Sequence, residues 1–186
     1  DAQGNLLSGQ VVNFSAGNGA SIVASGTTGN DGTVTKTLTS TVVGDSTVTA
    51  SINNSSESVD VTFVADTGTA QIADGALEIV ETGARADGET TNSVKATVTD
   101  ANGNPLSGQT VNFSADNGAT ILASGTTSAD GTVTMTLTST VAGDSTVTAS
   151  INSSSQNVSV TFTADTSTAQ LTVTADNSET MLADGT

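Results

Sequence analysis

Cysteine and histidine are both missing from the 186 residues. Their absence removes disulfides, thiol nucleophiles, imidazole bases and every zinc site built on either residue. Tryptophan and tyrosine are missing too, and the whole aromatic complement is Phe14, Phe63, Phe113 and Phe162. Basic residues are scarce: Lys36, Arg85 and Lys95 stand against 19 Asp and Glu, for a formal net charge of −16. A surface so one-sided repels phosphate backbones and anionic lipid, which argues against nucleic acid and against direct membrane contact by this segment. No apolar run is long enough to cross a bilayer as a helix, and any targeting segment is expected to lie outside this stretch. Hydrophobic content of 34% with high net charge is also the composition of disordered chains. The patterning points elsewhere, because apolar residues alternate cleanly and turn formers recur at regular intervals.

What is present is a repeat. Asp1–Ile72 aligns without a gap on Asp100–Leu171, at an offset of 99 residues, with 55 of 72 positions identical. That period is too long for a solenoid unit and suits one β-sandwich module. The unit readable in full runs over 72–165. Strands are expected at Ala76–Thr82, Asn92–Thr99, Gln109–Ala115, Thr120–Ala123, Thr132–Thr140, Ser145–Ile151 and Asn157–Ala164. Ala76–Thr82 alternates weakly and Thr120–Ala123 is short, while the others place apolar residues at every second position, as in Val133, Met135 and Leu137 between outward threonines. Asn152–Gln156 is expected to form a polar hairpin. The fold class is therefore all-β: tandem antiparallel β-sandwiches with about seven strands per module. The two phenylalanines of each unit, Phe14 with Phe63 and Phe113 with Phe162, are expected to meet across the sandwich as the largest pieces of its core.

Module edges follow from the repeat. Asp66–Gln71 (DTGTAQ) and Asp165–Gln170 (DTSTAQ) are short polar linkers. Residues 1–66 carry no counterpart of Ala76–Thr99, so this module is expected to lack its first two strands and to leave Val12 and Phe14 poorly covered. Residues 171–186 resemble the first strand of a further module. Two explanations are weighed: a window from a longer array, or chains that complement one another by adding a strand, which builds a filament.

Three stretches carry a family resemblance: D-A-N-G-N-P-L-S-G-Q-T-V-N-F at Asp100–Phe113, A-D-G-T-V-T-M-T-L-T-S-T at Ala129–Thr140, and A-G-D-S-T-V-T-A-S at Ala142–Ser150. Together they resemble the bacterial immunoglobulin-like repeats of the intimin/invasin family of outer-membrane adhesins. The resemblance implies immunoglobulin-like modules in the stalk of a protein at the bacterial cell surface, extracellular, anchored in the outer membrane through a part not in this chain. It implies neighbouring modules of the same array as partners, and a distal binding domain that the stalk projects. Two departures stand out in the first unit: Leu6 replaces Pro105, and Lys36 replaces the inward Met135, where its ammonium must reach out at a sheet margin.

The chemistry weighed is sparse. A nucleophile needs a base within hydrogen-bond reach, and without histidine no catalytic residue and no enzyme are expected. Calcium is the one cofactor considered. Asp100-Ala-Asn102-Gly-Asn104 resembles the start of a calcium loop, but Pro105 replaces the turn glycine and no Glu closes it. A polar turn with Asx hydrogen bonds is the reading preferred there. Asp66, Asp74, Asp165 and Asp176, near the joints, are the candidate calcium ligands, weighed against plain surface charge. Two threonine ladders, Thr33–Thr41 and Thr132–Thr140 at alternate positions, offer flat faces for glycan or ice, against the ordinary preference of threonine for solvent-facing strands.

Overall fold

The computed structural model describes residues 1–174. Apart from two 3-10 turns, Thr67–Thr69 and Thr166–Thr168, the regular structure among them is all strand. The first unit contributes β1 (Val11–Ala16), β2 (Ser21–Ile22), β3 (Ser25–Thr27), β4 (Leu38–Thr39), β5 (Gly44–Ile52) and β6 (Ser55–Phe63). The second contributes β7 (Leu77–Glu81), β8 (Asn92–Thr97), β9 (Thr110–Ala115), β10 (Thr120–Ile121), β11 (Ser124–Thr126), β12 (Thr132–Thr138), β13 (Gly143–Ile151) and β14 (Ser154–Phe162). Two four-stranded antiparallel sheets, β10-β12-β8-β7 and β11-β9-β13-β14, make the second unit a sandwich.

The expected strand Thr120–Ala123 is only Thr120–Ile121, and a strand not expected from the sequence, β11, follows it. The chain leaves the first sheet after Ile121, exposes Leu122, and joins the other sheet as β11. Gly125 sits where β11 passes over the facing side chains. A Cβ there would lie 2.7 Å from Val133 Cγ2 and 2.8 Å from Met135 Sδ. The polar hairpin is also tighter than its composition suggests. Ile151 pairs with Ser154, so the turn is only Asn152 and Ser153, with Asn152 at φ 50. Asparagine tolerates that left-handed conformation, which two-residue hairpin turns require.

The second unit holds the core. Val94, Ala96, Val98, Val111, Val147, Ala149 and Val160 are all fully buried, with Leu137 and Phe162 at 1% exposure. The phenylalanines do not face each other across it. Phe113 on β9 lies opposite Ala149, while the β14 residue Phe162 lies opposite Gly143, so both belong to one sheet, at opposite ends of β13. Strand alternation correctly turns both rings inward, but it does not tell which sheet a strand joins.

The first unit shows what the sandwich loses without a β7–β8 pair. Its β3-β1-β5-β6 sheet matches that of the second unit, yet β2 and β4 pair only with each other. Thr132–Thr138 forms a seven-residue strand because β8 supplies six partners, from Thr97 to Asn92. The matching Thr33–Thr39 has no such partner, and only Leu38–Thr39 is strand. Of the two threonine ladders, the one beginning at Thr33 is therefore a strand only at Thr39. Val34, Lys36, Leu38, Phe14 and Phe63 are half-buried where Val133, Met135, Leu137, Phe113 and Phe162 are buried. Lys36 lays its stem over Gly26, whose Cβ, if it had one, would lie 2.5 Å from Lys36 Cε. Leu171–Thr174 is not strand, and the remainder of 171–186 lies outside the described residues.

Candidate functional site

The polar loop at Asp100 lies at the joint between the units. Its backbone folds into an Asx turn, with Oδ1 of Asp100 accepting from Asn102 N and Asn104 N, each at 2.9 Å. Asp1 makes the same turn, with Gln3 N at 3.0 Å and Asn5 N at 2.9 Å. What differs is the surroundings. Asp1 is exposed, whereas Asp100 is 1% exposed. The linker that precedes the second unit supplies the cover.

That cover is built from specific hydrogen bonds. Asp66 N donates to Asp100 Oδ2 at 3.2 Å, and Ala101 N donates to Thr69 Oγ1 at 3.1 Å. Gln71 and Thr99 exchange backbone bonds of 2.9 and 3.0 Å. The amide of Asn104 spans the joint: its Nδ2 donates to Asp100 Oδ2 at 2.8 Å and to Thr41 O of the first unit at 3.0 Å. Both protons of one amide are thereby committed, one to each unit. Asp66 caps the Thr67–Thr69 turn through Gly68 N at 3.0 Å, and the linker residue Ala70 is buried in the second core. A small polar cleft of about 80 Å³ remains between Thr41, Phe63, Asp66, Asp100 and Asn104.

The candidate calcium ligands are dispersed. Asp66 is exposed beside Asp100. Asp74 accepts from Gln156 Nε2 at 2.9 Å. Asp165 caps the Thr166–Thr168 turn through Ser167 N and lies 4.0 Å from Arg85. Asp176 lies outside the described residues. Among the described residues no three carboxylates converge on one point. The sequence pointed to the Asp100 loop but not to the part Asn104 plays. The repeat held a signal for it: the two copies differ at Gln3 and Asn102, which contribute only a backbone N–H, and agree at Asn5 and Asn104, which contribute a side chain.

Hydrogen bonding sets the acid response. The amide of Asn104, followed by the backbone of Asn104, Asp66 and Asn102, draws the Asp100 carboxyl from its usual value near 3.8 to about 2. The hydroxyl and N–H of Thr90 do the same for Asp87, and the hydroxyls of Ser128 and Thr132 for Asp130, each to about 2. A carboxyl lowered in the folded state contributes stability that is complete above its unfolded value and lost as pH falls through the folded one. The melting temperature is therefore expected to hold through mild acid and to drop between about pH 4 and about pH 2. Asp100→Asn should remove part of that drop. A pH-independent melting temperature down to pH 2 would contradict this account.

Comparison with known proteins places these features. Residues 1–64 and 74–163 match the Bacterial Ig-like domain (group 1) family. The inverse autotransporter adhesin YeeJ of Escherichia coli (strain K12) is 36% identical over 124 residues, 61% of this chain and 5% of that protein. The chain thus spans a small fraction of that relative's length. Among solved structures, the Escherichia coli adhesin FdeC is similar with a TM-score of 0.66 and 26% identity, over 88% of this chain and 56% of that one. InvD of Yersinia pseudotuberculosis shares the fold, with a TM-score of 0.57 and 22% identity over 92% of this chain and 53% of its own.

Proposed function

Because the chain belongs to the Bacterial Ig-like domain (group 1) family, we propose that it is a non-catalytic spacer in the stalk of a bacterial surface adhesin, holding a distal binding domain away from the cell. The observation that carries this reading is the joint. The linker is bound to the second unit through Asp66, Thr69, Gln71 and Asp100, Asn104 bonds directly to Thr41 of the first, and a linker held in this way transmits direction. The similarity to two adhesins supports a setting in a bacterial adhesin. Acidic surfaces keep neighbouring modules soluble and apart.

The test is length. In small-angle scattering, chains with one, two and four complete units should increase in maximum dimension by an equal step per unit. A dimension that levels off as units are added would mean a collapsed or freely jointed chain and would end the spacer reading. A second reading, self-assembly by strand addition, is favoured by the open groove of about 270 Å³ in the first unit, lined by Leu6, Leu7, Val12 and Ile52. The same scattering series, run at rising concentration, separates the two: strand addition gives polymers, a spacer stays monomeric.

A further inference from the structure

Every strand ladder among the described residues is antiparallel. One isolated bridge is parallel: Arg85 with Thr163. Around it, the segment that follows β7 runs beside the end of β14. Gly83 N donates to Thr161 O at 2.9 Å, Thr163 N to Ala84 O at 2.8 Å, and Ala86 N to Thr163 O at 2.8 Å. Thr161 N donates to Thr82 Oγ1 at 2.9 Å. Behind them sits Asn92, a fully buried polar side chain. Its Oδ1 accepts from Ala84 N at 3.0 Å, and its Nδ2 donates to Thr161 O at 3.0 Å. The amide thus staples the two segments together from inside.

The path of the chain gives this patch a direction. The polypeptide enters the second module at Ala70–Ile72, held there by Asn152 Nδ2 on Ala70 O and by Ser154 Oγ, which bonds both Ile72 N and Ile72 O. It leaves past Phe162, at the other end of β14, about 30 Å away for a nine-residue strand. Tension between entry and exit pulls residues 82–86 one way and 161–163 the other. Neighbouring segments that run parallel must then slide past each other, and all their cross-bonds are strained at once. An antiparallel hairpin pulled at its two adjacent ends opens one bond at a time.

We propose that residues 82–86, the end of β14 and Asn92 form a shear clamp that bears tension along the module axis. This rests on the spacer reading, since tension reaches a module only between an anchor and a load.

Single-molecule pulling on the full chain tests the clamp, and the absence of native cysteine makes introduced handles unique. Handles at Asp74→Cys and Thr166→Cys load residues 82–86. Those at Glu89→Cys and Thr166→Cys leave the segment outside the stretched stretch. The first geometry is expected to require roughly twofold or more the force of the second at equal loading rate, because forced unfolding follows the barrier and not the equilibrium stability. Thr82→Ala, at an exposed residue outside the 89–166 stretch, removes one clamp bond and should lower the first force and leave the second unchanged. Asn92→Ala removes a bond to Thr161 that both stretches contain, together with the bond to Ala84 that only the first contains, and should lower the first force by more than the second. Equal forces in the two geometries, or a substitution that lowers both alike, overturns the clamp. Neither result bears on the length series, which tests the spacer reading by itself.

Discussion

Phe162→Ala is expected to destabilise the second module by about 3–5 kcal/mol, the usual cost of removing a large buried ring with incomplete collapse of the cavity. The same change at Phe63 should cost far less. The two rings occupy equivalent strands, β14 and β6, and equivalent partners, Gly143 and Gly44. They differ in cover: Phe162 is 1% exposed, whereas among the described residues no strand pair closes over Phe63, which is half-buried. A half-covered ring is already partly in water, so its removal forfeits less transfer energy and leaves no sealed void. Hydrogen exchange resolved by unit, with denaturant melts of each variant, measures both. Equal losses at the two sites would mean that β7 and β8 do not complete the core.

Gly131→Ala should be nearly as damaging, at about 2–5 kcal/mol. Gly131 sits at φ +77, a left-handed conformation that a side chain adopts only with strain. It is also pressed against backbone: a Cβ would lie 2.7 Å from Val98 O and 3.0 Å from Leu106 N. Those atoms cannot swing aside, because Val98 N already donates to Gly131 O at 2.8 Å and Leu106 N to Val98 O at 3.0 Å. Gly32 has a similar φ of +72, but its Cβ would meet only the Leu6 side chain and Leu7 N, at 3.3 Å and beyond. The difference between Gly131→Ala and Gly32→Ala, read from unit-resolved exchange, therefore isolates the clash from the strain. If both variants lose the same protection, the close approach to Val98 contributes nothing.

The legible part of this fold was the part governed by local alternation. Thr132–Thr138 and Gly143–Ile151 read directly, since period-2 patterning and flanking turn residues agree there with the burial that follows. Failures came where the answer depends on a partner. Alternation gives Phe113 and Phe162 an inward side but not a sheet. The break after Ile121 goes with Gly125 passing over Met135, a contact between consecutive strands that belong to opposite sheets. Thr33–Thr37 carries almost the same residues as Thr132–Thr136, yet remains outside regular structure for want of β8. The joint was legible to a similar degree. Asx chemistry at Asp100 is local and readable. Asn104 reaching Thr41, 63 positions earlier, is not. Asn92 offered no sign of burial in its sequence neighbourhood, being the polar first residue of a strand.

The amide bridge of Asn104 has a geometric consequence. The residues of this joint belong to segments that recur at the 99-residue offset: Thr41 with Thr140, Asp66 with Asp165, Thr69 with Thr168, Asn5 with Asn104. Wherever both halves recur, the next unit is placed by the same rotation and the same translation. Repeating one such operation generates a screw. A run of these modules then carries whatever it bears at an azimuth as well as a height, and inserting or deleting a single unit turns that cargo about the axis by one fixed angle.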